Sequence, residues 1–187
     1  MSCCFGPNIS PLMQKYHDEV WGKPCHDDHL LFKMLILECF QAGLSWEMVL
    51  QKEEAIGCAL KGFDVEKVAN LSEEDFESGL QIPNMIKNRR KMACAVNNAK
   101  RFMDIQREFG SFDAFIWSFT QGKVIDHRLT DYRYMPASNE LSDEISAALK
   151  QRGFQFVGTI IVYSYLQAIG IINDHLVDCQ NRGDVYE

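Results

Sequence analysis

Four residues at the two ends of the chain have the chemistry of a metal site: Cys4 and His17, then His175 and Cys179. Thiolate sulfur and imidazole nitrogen are zinc donors, and a site closed by four protein ligands is structural rather than catalytic. His175 and Cys179 are spaced i, i+4, so a helical turn puts both on one face. Such a site ties the N-terminal segment to a C-terminal helix. Cys3 adjoins Cys4, and spacing does not separate them as donors. Unrelated core and surface positions would give the same residues. Cys25, His26 and His29 form a second cluster in an acidic, proline-containing stretch that reads as solvated loop.

Two segments could build a pocket: Tyr16-His17-Asp18-Glu19-Val20-Trp21-Gly22 and Glu38-Cys39-Phe40-Gln41-Ala42-Gly43-Leu44-Ser45-Trp46. A carboxylate, Glu38, stands near the end of an apolar helix. A tight glycine turn and an aromatic ring follow it. Carboxylate plus ring faces is the lining expected for a flat cation. The competing reading is core packing for Trp21 and Trp46 and a surface position for Glu38.

A third segment, Lys150 to Thr159, joins two helices through a turn bounded by Gly153 and Gly158. Glycine permits close backbone approach, and the free amides of the following helix favour an anion. This is the logic of a hairpin that grips a DNA phosphate through main chain. An ordinary helix–helix loop with a glycine cap reads the same way. Lys150 and Arg152 add positive charge, and Lys87, Arg89, Arg90 and Lys91, with Lys100 and Arg101, suggest a second basic run. That run is equally the pattern of a solvated helix face.

Helices with short punctuation must position these groups. Asp27 or Asp28 caps one through Glu38, ending near Gly43. Ser45 caps another from Trp46 to about Leu60, and Asp64 opens a short one. Ser72 with Asp75 resembles a capping box. A long helix is predicted from about Asn84 to Glu108, then one from Ser111. Ser142 caps a helix to Arg152, and a last apolar helix runs from Thr159 to Ala168. Residues 121–139 are polar, carry Pro136 and read as loop. No strand alternation is sustained, so the class is all-α.

The chain has 187 residues, 47% hydrophobic and 24% charged, enough for a compact domain with its own core. No apolar run suits a membrane span, and residues 1–12 have no secretory pattern, so a cytoplasmic location is the default expectation. An odd cysteine count fits a reducing compartment better than a disulfide framework. A net charge of −7 opposes nucleic-acid binding unless a local face overrides it.

The stretches YHDEVWG (16–22), LECFQAGLSW (37–46), KQRGFQFVGTIIVYSYLQAIGIINDH (150–175) and Cys179 resemble the type I 3-methyladenine DNA glycosylases, a branch of the helix-hairpin-helix glycosylases. The resemblance implies one glycosylase domain over 1–187 with the helix-hairpin-helix fold. Its termini would be joined by structural zinc on Cys4, His17, His175 and Cys179, which selects Cys4 over Cys3. It implies that Glu38 hydrogen-bonds an extruded base, Trp46 stacks on it, and Tyr16 and Trp21 line the pocket. Gly43 and Leu44 would fill the gap left in the duplex, and Gly153, Gly158 and Thr159 would lie against the DNA backbone. The partner implied is double-stranded DNA carrying alkylated bases, with no membrane and no obligate protein partner. The reaction implied is hydrolysis of the bond joining cationic 3-methyladenine to its sugar. Thr159 rather than lysine follows the hairpin turn, which argues against Schiff-base chemistry. A non-catalytic hairpin DNA-binding protein with structural zinc is the alternative. Two departures, Met13 in place of a tyrosine and Phe5-Gly6 in place of a nearby tryptophan, thin the aromatic wall. Asp174 is a candidate for supporting charge on the sugar.

Overall fold

A computed structural model describes residues 4–183, so Cys3 lies outside the described residues. These residues are mainly helical. Helix α1 (Pro11–Glu19) begins at Ser10, whose hydroxyl accepts from the Met13 amide, with Pro11 in the first turn. No helix is predicted there from the sequence, although a Ser-Pro start is a strong N-terminal signal. Helix α2 (Asp28–Gln41) starts at the expected Asp27 cap, and nine of its fourteen residues are buried. The predicted helix from Trp46 breaks at Lys52 into α3 (Trp46–Gln51) and α4 (Glu53–Ala59). Then come α5 (Val65–Ala69), capped by Asp64, and α6 (Glu73–Gln81), whose Ser72–Asp75 capping box forms as expected.

The long helix α7 (Arg89–Phe109) is capped by Asn88 rather than starting near Asn84, and ends at Gly110. Its buried stripe of Met92, Ala95, Ala99 and Phe102 packs toward α2, α5 and α8 (Phe112–Ser118). Helix α9 (Glu140–Gln151) is capped by Asn139; Ser142 sits one turn in, its hydroxyl accepting from the Asn139 amide. Helix α10 (Thr159–Ala168) packs on α9 and α2.

Residues 121–139 are not plain loop. Ile125–Asp126 (β1) pairs in parallel with Ile172–Asn173 (β2), Ile125 opposite Ile172, and Tyr132–Tyr134 make a 3-10 turn. The strands are two residues each, too short for alternation to register in the sequence. One continuous hydrophobic cluster runs from Cys4 through α1, α2 and α7 to Leu176. No helix among the described residues is long and apolar enough to cross a membrane.

The segment 21–25 lies against the end of α10: the Gly22 amide donates to the Gln167 carbonyl and the Cys25 amide to that of Ile169. Gly170 makes this possible. Its φ is +72°, and a Cβ there would come 2.3 Å from the Lys23 carbonyl carbon. Gly110 has φ +88° but nothing within 4 Å of such an atom. Gly110→Ala is therefore expected to cost about 1–2 kcal/mol for left-handed backbone alone. Gly170→Ala must also move main chain, and about 3 kcal/mol or more is expected. Denaturant midpoints of the two variants check the order.

Candidate functional site

The first and last described segments meet in one cluster. The ligand atoms of Cys4, His17, His175 and Cys179 all lie within 4.8 Å of one another. His175 Nδ1 is 3.5 Å from Cys4 Sγ and 3.4 Å from Cys179 Sγ, and His17 Nε2 is 3.6 Å from Cys179 Sγ. Zinc–sulfur and zinc–nitrogen bonds of ~2.3 and ~2.0–2.1 Å at tetrahedral angles imply sulfur–nitrogen edges of about 3.6 Å. The remaining ring nitrogens point the same way. His175 Nε2–H donates to the Trp21 carbonyl at 3.0 Å, and His17 Nδ1–H to Asp18 at 2.7 Å. Each hydrogen bond leaves the other nitrogen bare for a metal. Burial holds His175 down at about 4, hence neutral. The donor set fits a tetrahedral metal ion.

His175 and Cys179 do not share a helical turn, contrary to expectation. The chain leaves β2 in irregular backbone and closes only a Leu176–Cys179 turn. It still brings both side chains to His17 because α1 presents His17 inward beside Tyr16. Gly22 permits the approach, since a Cβ there would lie 2.7 Å from the His175 ring.

Rings connect this cluster to a second site. The Trp21 ring meets His175 edge-on at 4.6 Å and Phe5 at 4.7 Å. Phe5 lies nearly parallel to Tyr16 at 6.2 Å, and Tyr16 packs on Trp46 at 5.3 Å. Near them, Glu38 is only 2% exposed. No protein group hydrogen-bonds its Oε2, nor the buried Nε1 of Trp46. An unpaired buried carboxylate is costly and titrates upward. Desolvation raises Glu38 to about 8. Tyr16 is raised well above its usual range, first by burial and then by the Glu38 and Glu53 charges. A cleft of about 400 Å³ touches this site only at Tyr16; neither Glu38 nor Trp46 lines it.

The turn from Glu38 to Trp46 is held by a residue that sequence reasoning assigned elsewhere. Lys91, expected in a basic face, is buried, and its ammonium donates to the Phe40 carbonyl at 2.5 Å and the Ala42 carbonyl at 2.8 Å. It caps the C-terminus of α2, where a cation complements the helix dipole. Gly43 follows with φ +79° and is exposed; Leu44, half-buried, donates to the Gln41 carbonyl; Ser45 caps α3 and presents Trp46.

Other expected cations are also engaged. Arg89 pairs with Glu73 and Glu77, Arg101 with Asp104, and Arg152 with Glu108 at 2.6 Å while lying over Phe109 and Phe115. Exposed Lys87, Arg90, Lys100 and Lys150 form none of the described ion pairs. The α9–α10 turn is pinned from beneath. Asn98 accepts from the Gln155 amide and donates to its carbonyl, and Ser146 donates to the Val157 carbonyl. Gly153 takes φ +84°, and exposed Gly158 caps α10 without a side-chain hydrogen bond to the first amides. The Thr159 hydroxyl is paired with that of Ser142 at 2.8 Å.

Asp174 is fully buried and saturated. Tyr163, Gln167 and His127 all contact its carboxylate within 2.7 Å, so it holds the His127 ring. His26 stands exposed before α2, as its loop context implied, whereas His29 is exposed on the first turn of α2 rather than in a loop. The Tyr132 ring covers Gly6. Met13 stands on α1 three residues before Tyr16, half-buried.

Residues 7–182 match the model of a family described as methyladenine glycosylase. The chain is 41% identical over 179 residues to DNA-3-methyladenine glycosylase 1 of Escherichia coli (strain K12), covering 96% of each chain. It is 40% identical over 164 residues to DNA-3-methyladenine glycosylase of Haemophilus influenzae, covering 88% of this chain and 89% of that one. A crystal structure of 3-methyladenine DNA glycosylase I in complex with 3-methyladenine superposes with a TM-score of 0.95 at 36% identity, covering 99% of both chains.

The raised Glu38 carboxyl sets a sign for stability. The folded protein keeps the proton up to about pH 8, whereas an ordinary glutamate loses it near 4.5. Stability from this group is complete below 4.5 and is lost as pH rises through that window. Glu38→Gln cannot lose it. The variant should gain on wild type between pH 5 and 8, by on the order of a few kcal/mol at the upper end. Urea melts at pH 5 and 8 check this; parallel pH dependences would show that Glu38 is not held protonated.

Proposed function

The chain belongs to the methyladenine glycosylase family, and from that premise we propose that it excises 3-methyladenine from alkylated DNA by holding the extruded base against Glu38, Tyr16 and Trp46. One observation carries the assignment of these residues: a buried carboxylate oxygen with no protein partner lies close enough to Tyr16 for its charge to raise that phenol, and Trp46 packs on the same ring. A base inside a duplex is out of reach, so the nucleotide must leave the stack. Methylation at N3 gives the nucleoside a formal positive charge. Glu38 accepts from the base edge, and the ring faces favour the cation by ~2 kcal/mol beyond stacking. Trp21, packed on Phe5, supports the wall.

The leaving group needs little acid help. The bond between C1′ and N9 breaks with its electron pair going to the base, which cancels the positive charge. Water bonds to C1′ and gives up a proton. Thr159, not an amine, begins α10, and its hydroxyl is engaged by Ser142, so hydrolysis rather than an imine route follows. The single domain grips the duplex as a helix-hairpin-helix protein, through the turn at Gly153 and Gly158 and the first amides of α10. Gly43 and Leu44, on the exposed turn beside the pocket, enter the space the base vacates. Structural zinc on the Cys/His cluster would fix α1, and with it Tyr16, to the segment after β2.

Release of free 3-methyladenine from alkylated DNA tests the reading. Glu38→Gln should lower kcat/KM by roughly 10- to 100-fold, the loss of one charge-assisted hydrogen bond of ~1.5–3 kcal/mol. Trp46→Ala should lower it by a similar factor. An inactive wild type would remove the function, and an unaffected Glu38→Gln would remove that residue from it. Metal analysis should find zinc equimolar with protein, and chelation should lower Tm by many degrees, because site binding and folding are linked. Metal-free protein melting at the same temperature would exclude the structural zinc.

A further inference from the structure

Gly6 is buried with φ +87°, in a region that favours glycine. A Cβ built on it would lie 3.2 Å from Tyr132 Cε2 and 3.3 Å from Cζ. The ring therefore rests against the Gly6 backbone, and both the conformation and the contact call for glycine there. Tyr132 arrives from far along the chain, at the head of the 3-10 turn. Asp131 caps that turn through the Arg133 amide at 2.9 Å. On its N-terminal side the segment is tied to the C-terminal strand region. The His127 amide donates to the Asn173 carbonyl, the Leu129 carbonyl accepts from Val177, and Asp174 holds the His127 ring. The Tyr132 ring is thus anchored at its base and seated at its tip, yet 38% of the residue stays exposed.

Its place in the aromatic row gives that exposure a use. Trp46 packs on Tyr16, Tyr16 lies parallel to Phe5, and Phe5 is the neighbour of Gly6, on which Tyr132 rests. The row passes through Tyr16, which feels the Glu38 charge, and ends in a ring seated on Gly6 and open to solvent. A preorganised ring gives stacking affinity with little ordering entropy to overcome. We infer that Tyr132 is a further substrate-binding residue, whose ring stacks on the purine at the mouth of the base site. The inference rests on the proposed excision of 3-methyladenine.

The test combines steady-state release from alkylated DNA with binding of free 3-methyladenine followed by tryptophan fluorescence. Tyr132→Ala should raise KM and weaken free-base binding about tenfold, with a smaller change in kcat. Tyr132→Phe keeps the ring and should stay within about twofold of wild type. Tyr132→Leu fills the space on Gly6 without a π-face. It should melt like wild type yet lose affinity like the alanine variant, separating stacking from support of the fold. Tyr134→Ala, two residues on and 73% exposed, should change neither measurement. Wild-type binding and KM in the Leu variant would overturn the inference, as would a defect confined to DNA with free base bound normally. An inactive wild type would instead remove the reading beneath it.

Discussion

Helix α2 carries a carboxylate into a low-dielectric interior, and much of the site answers to that burden. Nine of its fourteen residues are buried, Glu38 among them. A charge there is expensive unless paired. The chain offers Oε2 no partner and instead leaves the group protonated at neutral pH. The surroundings keep it from escaping. Lys91 satisfies the last carbonyls of α2, Gly43 turns the chain sharply, and Trp46 comes back beside Tyr16. Stability of the helix comes from packing against α7 and α10, which can carry one unfavourable group.

Local chemistry was legible where a cap and an apolar period coincide. Asp27, Ser45, Asp64, Ser72 and Ser111 each start a helix, and each side chain accepts the amide that the pattern requires. The Cys/His ligands and Glu38 were legible by residue type. What the sequence hid is tertiary. Lys91 sits in a basic run, and only the end of α2 lying against α7 turns it into a cap. Ser142 looks like an N-cap because both it and Asn139 suit that role; the capping box uses both in reversed positions. His175 and Cys179 suggested a helical turn, but β2 spends the preceding residues on a sheet pair. Tyr132 lies in a segment without periodicity, and its contact with Gly6 spans 126 positions.

The charge balance takes its meaning from the same geometry. A net charge of −7 is unfavourable for approach to DNA, and several arginines that seemed to offset it are bound to carboxylates at home. Side-chain charge is thus a weak candidate for the main grip. Main-chain amides are a better one, since they carry partial positive charge without adding a residue of either sign. The α9–α10 turn is built for constancy of backbone. Asn98 clamps Gln155 from both sides, Ser146 holds Val157, and Phe154 and Val157 are buried beneath. A backbone fixed this firmly loses little entropy when it meets a phosphate.

On the proposed role of Glu38, selection between a charged and a neutral purine would follow from the state of that carboxyl before anything binds. At pH 7 ionising it opposes a gap of about one pKa unit, or ~1.4 kcal/mol. A cationic ring recovers that energy by attraction to the carboxylate; neutral adenine has no charge with which to do so. In that role an uncharged base would meet a neutral carboxyl and gain only hydrogen bonding and stacking. Polar partners around the carboxyl would lower its proton affinity and leave it charged before any base arrives. On that reading, the absence of a protein partner for Oε2 would tie base selection to charge.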